Sequence, residues 1–105
     1  MDIFYDNSKI KKLLTKEDNL IKKYGRNISD TIFLIIQYLR NADNLSAISQ
    51  NPPYRRHKLQ GNYQNCYAMN ITGKLRLIFK PVNEKECELM KIKEIIIVDV
   101  KDYHD

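Results

Sequence analysis

Six side chains in this sequence could together do acid–base and phosphate chemistry: His57, Lys58, Arg76, Asp102, Tyr103 and His104. Other chemistries lack their residues. The two cysteines, Cys66 and Cys87, have no CxxC partner, and the two histidines are not spaced beside them as zinc ligands. The three glycines are scattered as turn residues and make no phosphate-cradling loop. Ser8, Ser29, Ser46 and Ser49 sit at or near helical segments, with no nucleophile elbow. Metal-free RNA cleavage suits what is left, and neither a metal nor a cofactor is expected. RNA supplies its own nucleophile, the 2′-hydroxyl. The protein must take a proton from it, stabilise a pentavalent phosphorane and return a proton to the 5′-oxygen. Histidine can make either transfer near neutral pH. Arginine offers fixed donors to the phosphorane oxygens, and tyrosine can stack on a base or donate its hydroxyl.

Each residue also has a plainer reading. His57 could be a surface histidine in a basic turn. Arg76, on the face of its strand opposite Leu75, Leu77 and Phe79, could simply cover apolar surface with its stem. Tyr103 and His104 stand where chains fray by default, and Arg55 and Arg56 are of the type that positions phosphates or stays solvated.

Charge points the same way as the chemistry. The net charge is +5, yet residues 54–80 hold six Lys and Arg (Arg55, Arg56, Lys58, Lys74, Arg76 and Lys80) and no acid. Unopposed positive charge on a folded segment suits a polyanion. A membrane surface would call instead for a basic amphipathic helix, so no membrane partner is expected. No apolar run approaches the roughly 20 residues that span a bilayer. The start of the chain lacks the features of a signal peptide, so a cytoplasmic location is the expectation.

The elements that must position these residues can be read in outline. At 105 residues there is room for one core, hence a single domain over residues 1–105. Residues 2–5 suggest an edge strand, and Asn7-Ser8 an N-cap. Ile10, Leu13, Leu14, Ile21 and Tyr24 fall on one face of a helix that Gly25 ends. A second helix, capped by Ser29 or Asn27, carries Ile28, Ile32, Ile35, Ile36 and Leu39. Phe33 and Leu34 widen its apolar arc, which implies burial on more than one side or a partner protein. Asn51-Pro52-Pro53 breaks the pattern. Residues 54–59 read as a short strand and residues 66–80 as a hairpin turning at Thr72-Gly73. The run Ile95-Ile96-Ile97-Val98 suggests a last strand buried on both faces. The sum is an α+β domain: a twisted, mainly antiparallel sheet with two N-terminal helices packed on one side. Cys66 and Cys87 are expected as reduced thiols, at least one of them buried.

The sequence resembles the HigB (plasmid maintenance killer) branch of the RelE/ParE toxin superfamily. The resemblance rests on Pro52-Pro53, on Arg56-His57-Lys58-Leu59-Gln60-Gly61, on Tyr67-Ala68-Met69-Asn70-Ile71 and on Arg76-Leu77-Ile78-Phe79. It closes with Ile97-Val98-Asp99-Val100-Lys101-Asp102-Tyr103-His104, and it spans about residues 5–104. It implies a compact microbial-RNase, RelE-like fold and the toxin of a type II toxin–antitoxin system. Such a toxin enters the ribosomal A site and cuts translated mRNA. Its partners would be the ribosome, mRNA and a HigA-like helix-turn-helix antitoxin, with operator DNA reached only through that antitoxin. His57, Arg76, Asp102, Tyr103 and His104 match positions tied to function in the branch. Arg55, Arg56, Lys58, Gln60, Lys74 and Lys80 are the expected RNA-binding set. One departure stands out. The branch usually carries lysine just before the glycine of the turn; here Gln60 holds that place. Lys58 lies two residues earlier and would share a face with it on an extended strand. Two other readings keep the fold. One is a ParE-like poison of DNA gyrase without nuclease activity, which does not need the His57, Arg76, Tyr103 and His104 set. The other is a catalytically weakened RNA-binding homologue.

Overall fold

Pairing of the alternating segments produces a five-stranded sheet, and helices cover one of its faces. The computed structural model describes residues 1–102. Strands β1 (Asp2–Tyr5), β2 (His57–Lys58), β3 (Tyr67–Asn70), β4 (Leu75–Pro81) and β5 (Glu94–Asp102) stand in the order β1-β5-β4-β3-β2. β1 lies parallel to β5, and the remaining pairings are antiparallel. The α+β architecture with a mainly antiparallel sheet is therefore the one found, with β1 at an edge as expected.

The helices depart from the sequence reading in number. Where one helix was expected before Gly25 there are two, α1 (Ser8–Thr15) and α2 (Glu17–Tyr24), broken at the extended Lys16. The Asn7 side chain accepts from Ile10 N–H at 2.9 Å and starts α1. Asn19 Nδ2 donates to the Lys12 carbonyl, one of the orphan groups at the end of α1, at 3.0 Å. Glu17 and Asp18 then meet the positive end of α2. The break re-aims the chain. Leu20 is buried in the core with Ile10 and Leu14. On an unbroken helix, six residues at about 100° each would turn Leu20 far off the Leu14 stripe.

Gly25, at φ 81°, both ends α2 and starts α3 (Arg26–Asn41). That positive φ costs a glycine little, so the chain turns from one helix into the next within a single residue. The expected caps Asn27 and Ser29 are not used: Ser29 lies inside the first turn of α3, its Oγ donating to the Gly25 carbonyl at 2.6 Å. α3 buries Ile32, Ile35, Ile36 and Leu39, whereas Phe33 and Leu34 are 58% and 56% exposed. The broad arc is thus covered on one side only by this chain.

The core lies between α1, α2 and α3 and one face of the sheet, where Tyr67, Met69, Leu77, Phe79, Ile95 and Ile97 point. Tyr67 and Phe79 stack there at 5.8 Å between ring centres. The last strand is not equally buried on both faces, as its apolar run suggested. Ile95, Ile97 and Val100 are buried, while Ile96 and Val98 are half-buried. The reason is that the helices cover only one face; the other holds a small cluster of Leu59, Cys66, Ala68 and Ile78, with Val98 and Tyr63 at its margin.

Candidate active site

The helix-free face of the sheet carries the polar residues, and strand register shows which of them share it. Side chains directly opposite on paired strands leave the sheet on the same side. His57 pairs with Ala68, and Ala68 with Ile78. Two residues along, Asn70 pairs with Arg76, and Arg76 with Lys101. Leu77 and Phe79, on the alternate parity, are in the core. His57, Asn70, Arg76 and Lys101 therefore emerge together, with the Cα atoms of His57 and Arg76 about 12 Å apart by strand spacing and rise.

His57 is oriented by its own turn. Its Nδ1 lies 2.8 Å from the Arg55 carbonyl oxygen. A carbonyl can only accept, so Nδ1 carries the proton, and in the neutral ring Nε2 is the basic nitrogen. Arg55 holds the backbone at φ 44°, which aims its carbonyl and limits the strand expected over residues 54–59 to His57–Lys58. Tyr54 still helps frame the site: its carbonyl accepts from Asn70 N–H at 2.7 Å.

Arg76 is 7% exposed, and its guanidinium turns toward the β3–β4 connection. Nη1 donates to the Thr72 carbonyl at 2.8 Å and the Leu75 carbonyl at 3.3 Å, and Nη2 to the Gly73 carbonyl at 3.3 Å. The arginine that sequence placed on a polar face thus also ties the tight turn together.

The other expected residues divide. Arg56 is 7% exposed, its Nε donating to the Ile48 carbonyl at 2.8 Å, so this charge is a buried tie between segments rather than a surface contact for phosphate. Lys58 is exposed but pairs with Tyr67, which sends it to the side opposite His57. β2 ends at Lys58, but Leu59 N–H still bonds the Cys66 carbonyl at 2.9 Å, and Lys58 and Gln60 are exposed on either side of the buried Leu59. Lys74 is exposed at the hairpin tip. Lys80 is bound to Glu84 at 2.7 Å, which raises its pKa. Asp102 pairs with Leu75, on the opposite parity to Arg76, and so leaves the sheet on the other side from His57 and Arg76. There it lies near Tyr24, whose pKa is raised by burial first and by Asp99 and Asp102 next. Tyr103 and His104 lie outside the described residues.

Three residues on the open face were missed from the sequence: Asn70, Tyr63 and Lys101. Lys101 Nζ donates to the Tyr63 hydroxyl at 3.3 Å and lies 5.3 Å from the ring centre, a cation–π contact that draws the β2–β3 connection across the face to β5. Alternation from Arg76 through the Thr72-Gly73 turn would have found Asn70; nothing local marks the Tyr63–Lys101 contact. Among the described residues no three His, Cys, Asp or Glu side chains gather as metal ligands.

Three solved structures share this arrangement of helices and strands. The YoeB–YefM complex from Staphylococcus aureus matches with a TM-score of 0.59 at 12% identity, over 100% of this chain and 98% of that one. A YafQ variant from E. coli matches at 0.61 and 17% identity, over 96% and 91%. A YoeB/ParE toxin from Agrobacterium tumefaciens matches at 0.63 and 9% identity, over 99% and 100%. The fold is the RelE-like toxin fold. No protein-family model and no curated protein sequence matches the chain. Identities of 9–17% relate backbones and leave side-chain roles to the geometry of this chain.

Proposed function

We propose that this protein is the toxin of a type II toxin–antitoxin system, a HigB-like endoribonuclease that cuts translated mRNA in the ribosomal A site. The observation that carries the reading is the shared face: His57 on β2 and Arg76 on β4 lie on the sheet face the helices leave open, one strand apart. The RelE-like fold and the basic segment over residues 54–80 support it.

In this reading His57 Nε2, which is shut off from solvent in the free protein, is uncovered as RNA docks and takes the proton of the 2′-hydroxyl, and the new O2′–P bond forms as the P–O5′ bond breaks. His104 returns a proton to the leaving 5′-oxygen, and Tyr103 stacks on or orients the nucleotide. Arg76 stabilises the phosphorane by turning part of its guanidinium from the hairpin carbonyls to the phosphate. Asp102, facing away from Arg76, acts only by orienting His104. Arg55, Lys58, Gln60, Lys74 and Lys80 hold flanking RNA. No metal enters these steps. The exposed Phe33 and Leu34 on α3 form part of the antitoxin contact, the antitoxin being a HigA-like helix-turn-helix protein that alone meets operator DNA. The toxin works in the cytoplasm, where the ribosomes are.

The test is to map mRNA 5′ ends after inducing the protein, with and without functional ribosomes. Cuts at codon boundaries that need translation support the reading. Inhibition of gyrase supercoiling with no mRNA cuts would replace it with a ParE-like activity, which the three carbonyls held by Arg76 favour. No effect in either assay would indicate a weakened RNA-binding homologue, consistent with Gln60 in the place of the branch lysine.

A further inference from the structure

We propose that Asn70 is a nucleotide contact: the outward N–H₂ of its side-chain amide donates to an oxygen of the bound RNA beside Arg76. The inference rests on the ribonuclease reading above.

Asn70 is the last residue of β3, directly opposite Arg76, two residues from the Ala68 that faces His57. It therefore stands between the two residues at the centre of that reading. Its backbone N–H is used by the Tyr54 carbonyl. Its side chain is not used for folding. Oδ1 is shut off from solvent with no hydrogen-bond partner, although the residue as a whole is half-exposed. Nδ2 is not a buried atom without a partner, and it makes no hydrogen bond among the described residues, so the amide's two donors face solvent.

A buried carbonyl oxygen without a donor costs stability. Asparagine is also a poor strand residue. An apolar side chain of similar size would serve β3 better on both counts. What asparagine adds is an outward, uncharged donor on the row of Arg76. The other donors of that row are charged: Arg76 gives three of its N–H bonds to the carbonyls of Thr72, Gly73 and Leu75, and the Lys101 ammonium reaches away to the Tyr63 hydroxyl. A neutral amide suits either of two RNA oxygens: a non-bridging phosphate oxygen or a base carbonyl.

The test compares the parent protein with Asn70→Leu and Asn70→Ser on translating ribosomes, reading cleavage rate, the sequence at every cut and Tm. Asn70→Leu is expected to melt at or above the parent temperature while cutting at least tenfold more slowly. Asn70→Ser, which keeps a smaller donor, falls between. A phosphate contact lowers the rate equally at all sites. A base-carbonyl contact concentrates the loss at particular bases and flattens the preference. Variants that cut at the parent rate with the parent distribution would overturn the inference alone. So would a Tm that falls with the activity, because that marks a structural role. A parent that cuts no mRNA would overturn the ribonuclease reading and this inference with it.

Discussion

The two faces of the sheet are built from the same strands and have opposite characters. The helix-covered face is apolar from β3 to β5, with Tyr67, Met69, Leu77, Phe79, Ile95 and Ile97 joined to α1, α2 and α3 in one cluster. The open face has a small apolar cluster of Leu59, Cys66, Ala68 and Ile78, and around it stand His57, Asn70, Arg76 and Lys101. The first face supplies most of the apolar burial that opposes chain entropy. The second gives up some of that stability, leaving the Asn70 oxygen without a partner and the Arg76 guanidinium buried. Residues poor for folding but grouped on one face are a mark of use rather than of packing.

Substitutions on the two faces should separate accordingly. Phe79→Ala, on the covered face and fully buried, should cost about 3–5 kcal/mol by denaturant unfolding, much of a typical domain's stability, and activity with it. His57→Ala, on the open face, should slow cleavage by roughly 10²–10⁴-fold while leaving the denaturation midpoint near that of the parent. Equal stability losses in both variants would break the distinction. Arg76→Ala tests the residue that belongs to both functions. It should lose activity and also about 1–3 kcal/mol of stability, because three turn carbonyls lose their donor. Arg76→Ala with unchanged stability would show that those bonds are replaced by water at no cost. Lys74→Ala should leave stability alone and reduce the salt dependence of RNA binding by about one charge.

The smallest effect is in alkaline solution. Burial chiefly holds the Cys66 thiol above its ordinary value of 9.0, partly offset by Lys80. The folded state therefore keeps a proton that the unfolded state releases. That contribution is intact below pH 9.0 and is lost as pH rises through the raised value. Tyr24 and Lys80, also raised, act in the same direction. Cys66→Ala should flatten part of the alkaline loss measured by thermal melts at stepped pH.

Much of this was legible because period carries it. Alternation through Tyr67–Asn70 and Leu75–Pro81 marks the hairpin, and it separates Arg76 from Leu75, Leu77 and Phe79 without any knowledge of partners. The 3.6-residue period marks α3 over most of its length. The break at Lys16 was hidden, because Leu14 and Ile21 keep helical spacing across it while the core takes Leu20. Arg56 looked like its neighbour Arg55, since nothing in adjacent residues reveals that the Ile48 carbonyl waits eight positions earlier.

Composition, period and turn residues determined by themselves that this chain forms an α+β domain with a basic, acid-poor hairpin segment and an arginine on the polar side of its strand. These are local properties, set within a few bonds of each residue. Tertiary structure alone decided that His57 and Arg76 share a face, that Asp102 leaves on the other, that Arg56 is buried, and that Asn70 stands between the two central residues. Those facts depend on register between strands distant in sequence, and a shift of one residue would send every side chain of a strand to the opposite face.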